Sequence, residues 1–159
     1  MSNQKDKTSF WLIAALLLAV GVAAYMLIEP QLRPSVSLTI GDGLYKARVA
    51  KTQAQRDKGL SGVSYLASNE AMLFEFDHSD KWAIWMKDMQ IPLDIVWLDQ
   101  NQEVVYIVKG ATPEDYPKPY IPNDPAQYVI ELPAGTVEAK RIKIGSKATF
   151  NLDEVRKLK

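Results

Sequence analysis

The residue types best suited to chemistry are concentrated in residues 82–94, which read WAIWMKDMQIPLD. The proline in this stretch predicts a turn between two strand-like segments, which would bring Lys87, Asp88 and Asp94 within reach of one another. Trp85 lies beside these charges. Aromatic rings next to a few carboxylates suit a cleft for a sugar or a cationic ligand, because ring faces attract C–H-rich and cationic groups. The stretch therefore predicts a ligand-binding site.

The same residues also have a purely structural interpretation. Lys87 would then pair with a carboxylate to stabilise the turn, and the tryptophans would fill the core, as buried aromatic side chains usually do. The sequence leaves both interpretations open.

A single carboxylate, Glu131, interrupts the apolar run at 127–132. Burying it alone would cost several kcal/mol, so it is expected either to face a cleft or to find a partner. Arg56, on a predicted short helix, is the candidate partner in a structural ion pair. Asp94 and Glu131 together would suit general acid and base catalysis if their carboxyl groups lay about 5–10 Å apart.

The composition excludes several kinds of chemistry. The chain has no Cys, which rules out disulfides, thiolate metal sites and Cys nucleophiles. His78 is the only His, so there is no His-pair metal motif. The formal net charge is zero, and neither a phosphate-binding glycine loop nor a basic-aromatic RNA motif is present. We therefore predict no metal, no cofactor and no nucleic-acid partner, and we assign no catalytic residue.

An apolar N-terminal segment predicts how the chain is located. Residues 10–28 carry no charge, and as a helix rising about 1.5 Å per residue they approach the ~30 Å thickness of a bilayer. Lys5 and Lys7 precede the segment, which predicts a cytoplasmic N-terminus and a domain on the other side of the membrane. The alternative is a signal segment cleaved near Ala24, which leaves a secreted or periplasmic protein.

The chain is accordingly divided into four parts. A cytoplasmic N-terminus covers 1–9, a transmembrane anchor or signal segment covers 10–28, a linker covers 29–35, and an extracytoplasmic β domain covers 36–159. The membrane, through residues 10–28, is the first predicted partner.

The domain at 36–159 has the pattern of many short strands separated by turn signals. Thr52 to Gln55 reads as a capping box that opens a short helix, which Gly59 would end. We predict a mainly-β fold, a compact β-sandwich or flattened barrel with one or two short helices. The predicted strands are 36–40, 45–50, 71–76, 82–86, 93–98, 104–109, 127–132 and 147–152.

Four ordered sequence blocks resemble the bacterial and archaeal family known as domain of unknown function 192, over roughly residues 49–152. The resemblance implies one compact, mainly-β domain, often behind a signal or membrane segment, and it implies no activity. It directs attention to Arg56, Lys87, Asp94 and Glu131. The chain departs from the family pattern at Ser61, at Ala71 and at Asp88-Met89, so that a contact made there by the family's usual residues is altered. The blocks are Arg56–Leu60, Ala71–Phe76, Trp85–Asp94 and Tyr128–Gly135.

Three functions remain open from the sequence. The first is a non-enzymatic binding or envelope-associated module that recognises a small ligand, a glycan or an envelope protein near the tryptophan-rich turn. The second is a carboxylate-dependent hydrolase that acts on envelope polysaccharide through Asp94 and Glu131. The third is a purely structural role.

Overall fold

The computed structural model describes residues 3–28 and 34–156 of the chain. It forms two units, one that ends at Arg33 and one that begins at Pro34. Most of the predicted linker at 29–35 lies outside the described residues.

The first unit contains one helix, α1, at Asn3–Ile28. Apolar side chains such as Trp11, Leu12 and Leu18 are each at least 70% exposed on this helix. Within the part of the chain that the structure describes, no helix combines the length and the apolarity that crossing a bilayer requires. The predicted helix at 10–28 is therefore present, whereas the predicted membrane span is not found.

The second unit is mainly β, as predicted, with a few short helices. The strands are β1 (Ser35–Ile40), β2 (Gly43–Ala50), β3 (Glu70–Asp80), β4 (Leu93–Leu98), β5 (Val104–Ala111), β6 (Ala126–Pro133) and β7 (Ala148–Phe150). The helices are α2 (Gln53–Lys58), α3 (Thr136–Ala139) and α4 (Asp153–Arg156), with a 3₁₀ helix at Pro113–Asp115.

All seven strands belong to one sheet in the order β5-β4-β6-β3-β2-β1-β7. Neighbouring strands are antiparallel except for β2 and β3, which are parallel. The sheet curls, because backbone hydrogen bonds join its two edges at one end: Val104 N donates to Ser146 O, and Ala148 N to Gln102 O, both at 2.9 Å. The prediction of a barrel-like sheet is thus correct in outline, while a sandwich of two sheets is wrong.

Each face of this sheet has its own hydrophobic core. The inner face, around which the sheet curls, packs residues of both edge strands, such as Phe150 on β7 and Val104 on β5, into one cluster. The outer face carries the second cluster, which includes Met72, Phe74 and Ile95. Because side chains alternate along a strand, every strand residue can be assigned to one face.

Strand β4 separates the two cores and is buried at all six positions, as its apolar sequence, interrupted only at Asp94, predicts. Residues 104–108 are also apolar, which predicts a second strand buried on both faces, and for this strand the prediction is wrong. Residues 105–110 of β5 are only half-buried or exposed, because β5 is the outermost strand and pairs along its length only with β4.

Two further predictions differ from the structure. Residues 82–86 do not form a regular strand; Ile84 makes only an isolated pair of backbone hydrogen bonds with Tyr120, at 2.9 and 2.7 Å. Strand β3 in turn continues through 77–80, beyond the predicted end of this strand at residue 76. Residues 82–89, which follow β3, pass over the outer face of the sheet.

The proline-rich connection at 112–125 is held by one carboxylate. Asp115 Oδ2 accepts hydrogen bonds from Thr112 N at 2.6 Å and from the Tyr120 hydroxyl at 2.7 Å. The bond from the Thr112 amide is the main reason why the pKa of Asp115 is lowered. Burial, followed by the bond to Asp115, raises the pKa of Tyr120 to about 12. Asp115 thereby fixes Tyr120, the residue that anchors Ile84.

Candidate functional site

A pocket of about 290 Å³ lies on the outer face of the sheet. The sheet forms its floor through Phe74 and Glu131, while α2 and the turn after it form one wall and residues 82–89 form the other. The crossover 51–69 and the segment 82–89 therefore build the pocket together. The side chains that matter below are those of Arg56, Lys58, Phe74, Trp85, Lys87 and Glu131.

Glu131 is a buried carboxyl in the floor of this pocket. It lies on β6 between Met72 of β3 and Ile95 of β4, which places it among the apolar side chains of the outer face. Its side chain is 5% exposed, and its Oε2 atom finds no hydrogen-bond partner among the described residues. Burial raises its pKa to about 8, so that it is mostly protonated at neutral pH. The pocket therefore presents a carboxylic acid group that is able to donate.

The predicted ion pair between Arg56 and Glu131 is not made. One Arg56 guanidinium nitrogen, Nη1, donates to the main-chain oxygens of Lys51 and of Glu75, the latter at 2.9 Å. The guanidinium carbon also lies 5.0 Å above the centre of the Phe76 ring. Arg56 thus ties the pocket wall to the middle of β3, through the main chain of Glu75 and the ring of Phe76.

Helix α2 is positioned by the predicted capping box. The side chain of Thr52 accepts from Gln55 N at 3.3 Å, and Gln55 Oε1 accepts from Thr52 N at 3.0 Å. The helix ends at Gly59, whose φ of 42° most side chains avoid and whose amide donates to Gln55 O. Lys58 is thereby placed on the wall of the pocket.

The opposite wall contains two tryptophans with different surroundings. Trp82 stacks on Phe76 with ring centres 4.3 Å apart, and its indole nitrogen donates to His78 O at 3.1 Å. Trp85 is 54% exposed and meets Tyr116 edge-to-face. Trp97, by contrast, is fully buried in the outer core. The structural interpretation therefore holds for Trp97, whereas Trp85 lies open beside the pocket.

Lys87 and Asp88 lie in the turn that closes this wall. Lys87 is exposed and lines the pocket, and its main-chain oxygen accepts from Ser61 Oγ at 3.0 Å. Asp88 is exposed at a φ of 56°, and its main-chain oxygen accepts from Gly62 N at 2.9 Å. The turn is thus bound to the end of the opposite wall through backbone contacts of both residues.

Asp94 lies on the other side of the sheet. It pairs with Leu132, an inner-face residue, and is 1% exposed. Its Oδ1 accepts from Gly110 N at 2.8 Å and its Oδ2 from Val137 N at 2.7 Å. Asp94 therefore holds an irregular part of β5 and the start of α3 to β4.

This placement corrects two predictions. Asp94 does not approach Lys87 and Asp88 across the turn, because the register of β4 directs it to the inner face. For the same reason Asp94 and Glu131 occupy opposite faces and cannot serve one reaction as acid and base. Across residues 3–28 and 34–156, no group of three or more His, Cys, Asp or Glu side chains is arranged to hold a metal ion.

Sequence reasoning missed part of the pocket. Phe74, Phe76 and Lys58 line it, but none of them was singled out as a site residue. The available signal was the alternation along β3, which places Phe74 and Phe76 on the same face as Met72, the neighbour of Glu131. Four predicted candidates, Arg56, Trp85, Lys87 and Glu131, are brought together around the pocket, and their part in binding stays a prediction.

The fold and the pocket define the class of this protein: a curled, single-sheet β domain with an aromatic cleft on its outer face. The profile of the domain of unknown function 192 (DUF192), described as "Uncharacterized ACR", matches residues 36–150. The chain belongs to this family, as its sequence blocks indicate.

Two relatives and two solved structures are similar to this chain. A UPF0127 protein of Thermococcus sibiricus is 28% identical over 113 residues, 70% of each chain. Another, from Pyrococcus furiosus, is 32% identical over 63 residues, 40% of this chain and 51% of the relative.

Among solved structures, a Novosphingobium aromaticivorans protein of unknown function shares 28% identity with a TM-score of 0.68, over 74% of this chain and 84% of its own. A Sinorhizobium meliloti protein, described as a candidate transcription regulator, has a TM-score of 0.71 at 24% identity, over 74% and 95% of the two chains. The second likeness shows the fold alone.

Proposed function

We propose that the domain is a non-enzymatic module that binds a small ligand in the outer-face pocket. The observation that carries this proposal is Glu131, a carboxyl group buried in the pocket floor whose Oε2 lacks a partner among the described side chains and backbone groups. An unsatisfied buried polar atom is costly, and a ligand that pairs with it would remove that cost.

The surroundings of Glu131 support binding rather than catalysis. Aromatic and aliphatic side chains such as Phe74, Ile84 and Trp85 line the pocket together with polar and charged side chains in similar proportion. This combination is typical of small-molecule sites. Asp94, the second carboxylate that a hydrolase would have needed, is committed to backbone amides on the inner face.

A fragment screen on the full-length protein at pH 7, read by ¹H–¹⁵N NMR, tests this function. Fragments are expected to shift the indole resonances of Trp82 and Trp85, because both line the pocket. Trp85→Ala should weaken the best fragments roughly fivefold through lost aromatic contact. Tyr65→Ala is the matched control, since Tyr65 is 75% exposed and does not line the pocket. Fragments that bind equally to all three proteins would contradict the proposal.

We further propose that the protein works outside the cytoplasm after removal of its N-terminal segment near Ala24. Lys5 and Lys7 followed by an apolar run have the pattern of a signal segment, and Val22-Ala23-Ala24 supplies the small residues that a signal peptidase requires. Apolar side chains of α1 such as Trp11, Leu12 and Leu18 are exposed, so they need another environment than water.

Intact-mass measurement of the protein isolated from its native cells tests this location. The expected mass corresponds to a chain that begins at or close to Tyr25, recovered from the extracytoplasmic fraction. Ala24→Leu should block processing, because the peptidase accepts only small residues there. A full-length chain that begins at Met1 in the cytoplasmic fraction would overturn the proposal.

A further inference from the structure

We propose that the ligand is a small organic anion with an apolar body, whose charged group is held by Lys58 and Lys87 at the pocket mouth while the body lies on the aromatic wall above Glu131. This inference rests on the proposed binding function and names the chemical class of the ligand. It is carried by the charges that surround the pocket, by the arrangement of Arg56, and by the size of the cavity.

The charges around the pocket favour an anion. Arg56, Lys58 and Lys87 line it, against Asp57 and a protonated Glu131. Asp57 Oδ1 accepts from Gln53 Nε2 at 2.7 Å, so part of its hydrogen-bonding capacity is already used. A ligand cation would therefore meet a surplus of positive charge.

The next strands of the outer face do not reverse this balance. Arg48 on β2 lies in one row with Met72 and Glu131, and its buried Nε atom lacks a partner within the described part of the chain. The other neighbour of Glu131 in this row, Ile95 on β4, is uncharged. The charged side chain in this row, that of Arg48, is thus positive, whereas Glu70, two residues before Met72 on the same face, accepts a hydrogen bond from Ala67 N at 3.2 Å.

Aromatic rings usually attract cations, but here the chain already supplies one. The Arg56 guanidinium lies over one side of the Phe76 ring, and Trp82 stacks on that ring in parallel. Phe76 is therefore occupied. Phe74, Ile84 and Trp85 remain for the apolar body of a ligand.

Glu131 completes the match with an anion. As a neutral carboxylic acid it adds no repulsion, and it offers one O–H donor and one carbonyl acceptor. Its burial is the cause of its raised pKa, which means that the lysines of the mouth do not hold it ionised. The pocket thus has a cationic mouth and a neutral, hydrogen-bonding floor.

The cavity volume limits the ligand to about one ring with a short substituent. A cavity of roughly 150 Å³ is enough to hold benzene, and this pocket measures about 290 Å³. Benzoate, benzyl alcohol and benzylammonium therefore make a matched set of probes, because they share a ring and differ in charge.

The test is an NMR titration of the full-length protein with each probe at pH 6.5. Benzoate is expected to bind at least roughly fivefold more tightly than benzyl alcohol, because two exposed lysines act on its charge. Lys58→Gln and Lys87→Gln should each weaken benzoate about two- to fivefold and leave benzyl alcohol unchanged. Lys109→Gln, the removal of an exposed lysine outside the pocket, should change neither probe.

The pH dependence provides an independent readout. Benzoate affinity should fall between pH 6.5 and pH 9, where Glu131 becomes ionised and repels the ligand, and it should stay level in Glu131→Gln. Three results would each contradict the proposal that the ligand is an anion: tighter binding of benzylammonium, equal binding of benzoate and benzyl alcohol, or no binding of any probe. If either uncharged or cationic probe still binds in a manner that Trp85→Ala weakens, the binding function stands and only the ligand class is wrong.

Discussion

Glu131→Gln is expected to become progressively more stable than the wild-type protein as the pH rises from about 5 to about 8. The unfolded chain releases the Glu131 proton near pH 4.5, whereas the folded protein retains it up to about pH 8. Between these values unfolding releases a proton, so raising the pH favours the unfolded state of the wild type. The difference in free energy of unfolding should grow by about 1.4 kcal/mol per pH unit across this window and then level off.

Urea denaturation of both proteins at half-unit steps from pH 4.5 to pH 9 measures this difference. Glu138→Gln is the control, because Glu138 is exposed and should give a constant offset from the wild type. A flat difference for Glu131→Gln across the same range would show that Glu131 is ionised in the folded protein. The pocket floor would then present a carboxylate, which cannot donate a hydrogen bond.

Asp94→Asn is expected to lower the free energy of unfolding by about 2–4 kcal/mol. Both carboxylate oxygens accept backbone N–H groups, from Gly110 and from Val137, and an amide can present only one acceptor oxygen to them. Hydrogen bonds to a charged group contribute about 1.5–3 kcal/mol, and an orphaned buried N–H costs about 1–3 kcal/mol. Thermal and urea unfolding at pH 7 provide the measurement.

The matched substitution Asp124→Asn should change stability by less than about 0.5 kcal/mol, because Asp124 is exposed. Residual folded Asp94→Asn should still bind the ligands that the wild type binds, since Asp94 faces away from the pocket. Unchanged stability together with lost ligand binding would instead show that Asp94 takes part in the binding site.

The elements of the fold that depend on local signals could be predicted from the sequence. The capping box at Thr52 and the stop at Gly59 are local chemistry, and the structure contains both. Most strands follow from their alternation or from apolar runs. The failure at 82–86 has a tertiary cause: its side chains cover the outer face as a wall, so its aromatic content reflects packing and not strand pairing.

The two carboxylates show why the site was only half predictable. Asp94 and Glu131 each stand in an apolar strand, and nothing in their local sequence distinguishes them. The register between β4 and β6 distinguishes the two carboxylates, since it pairs Asp94 with Leu132 and Ile95 with Glu131. A shift of one residue would exchange their faces. Local sequence indicates that a carboxylate in an apolar strand needs a partner. Only strand pairing determines whether its side chain contacts backbone amides or faces a cavity.

The single parallel pairing in the sheet has a consequence for how such a pocket can change over time. Parallel neighbours cannot be joined by a tight hairpin, so the chain between β2 and β3 must travel back along the sheet before the next strand begins. That return path, residues 51–69, includes α2 and one side of the cleft. Its exposed side chains can vary without disturbing the strand ladder, whereas Leu60 and Leu66 belong to the outer core. Proteins that keep this strand order can therefore exchange ligands by altering the return path alone, while the acid in the floor stays where the ladder holds it.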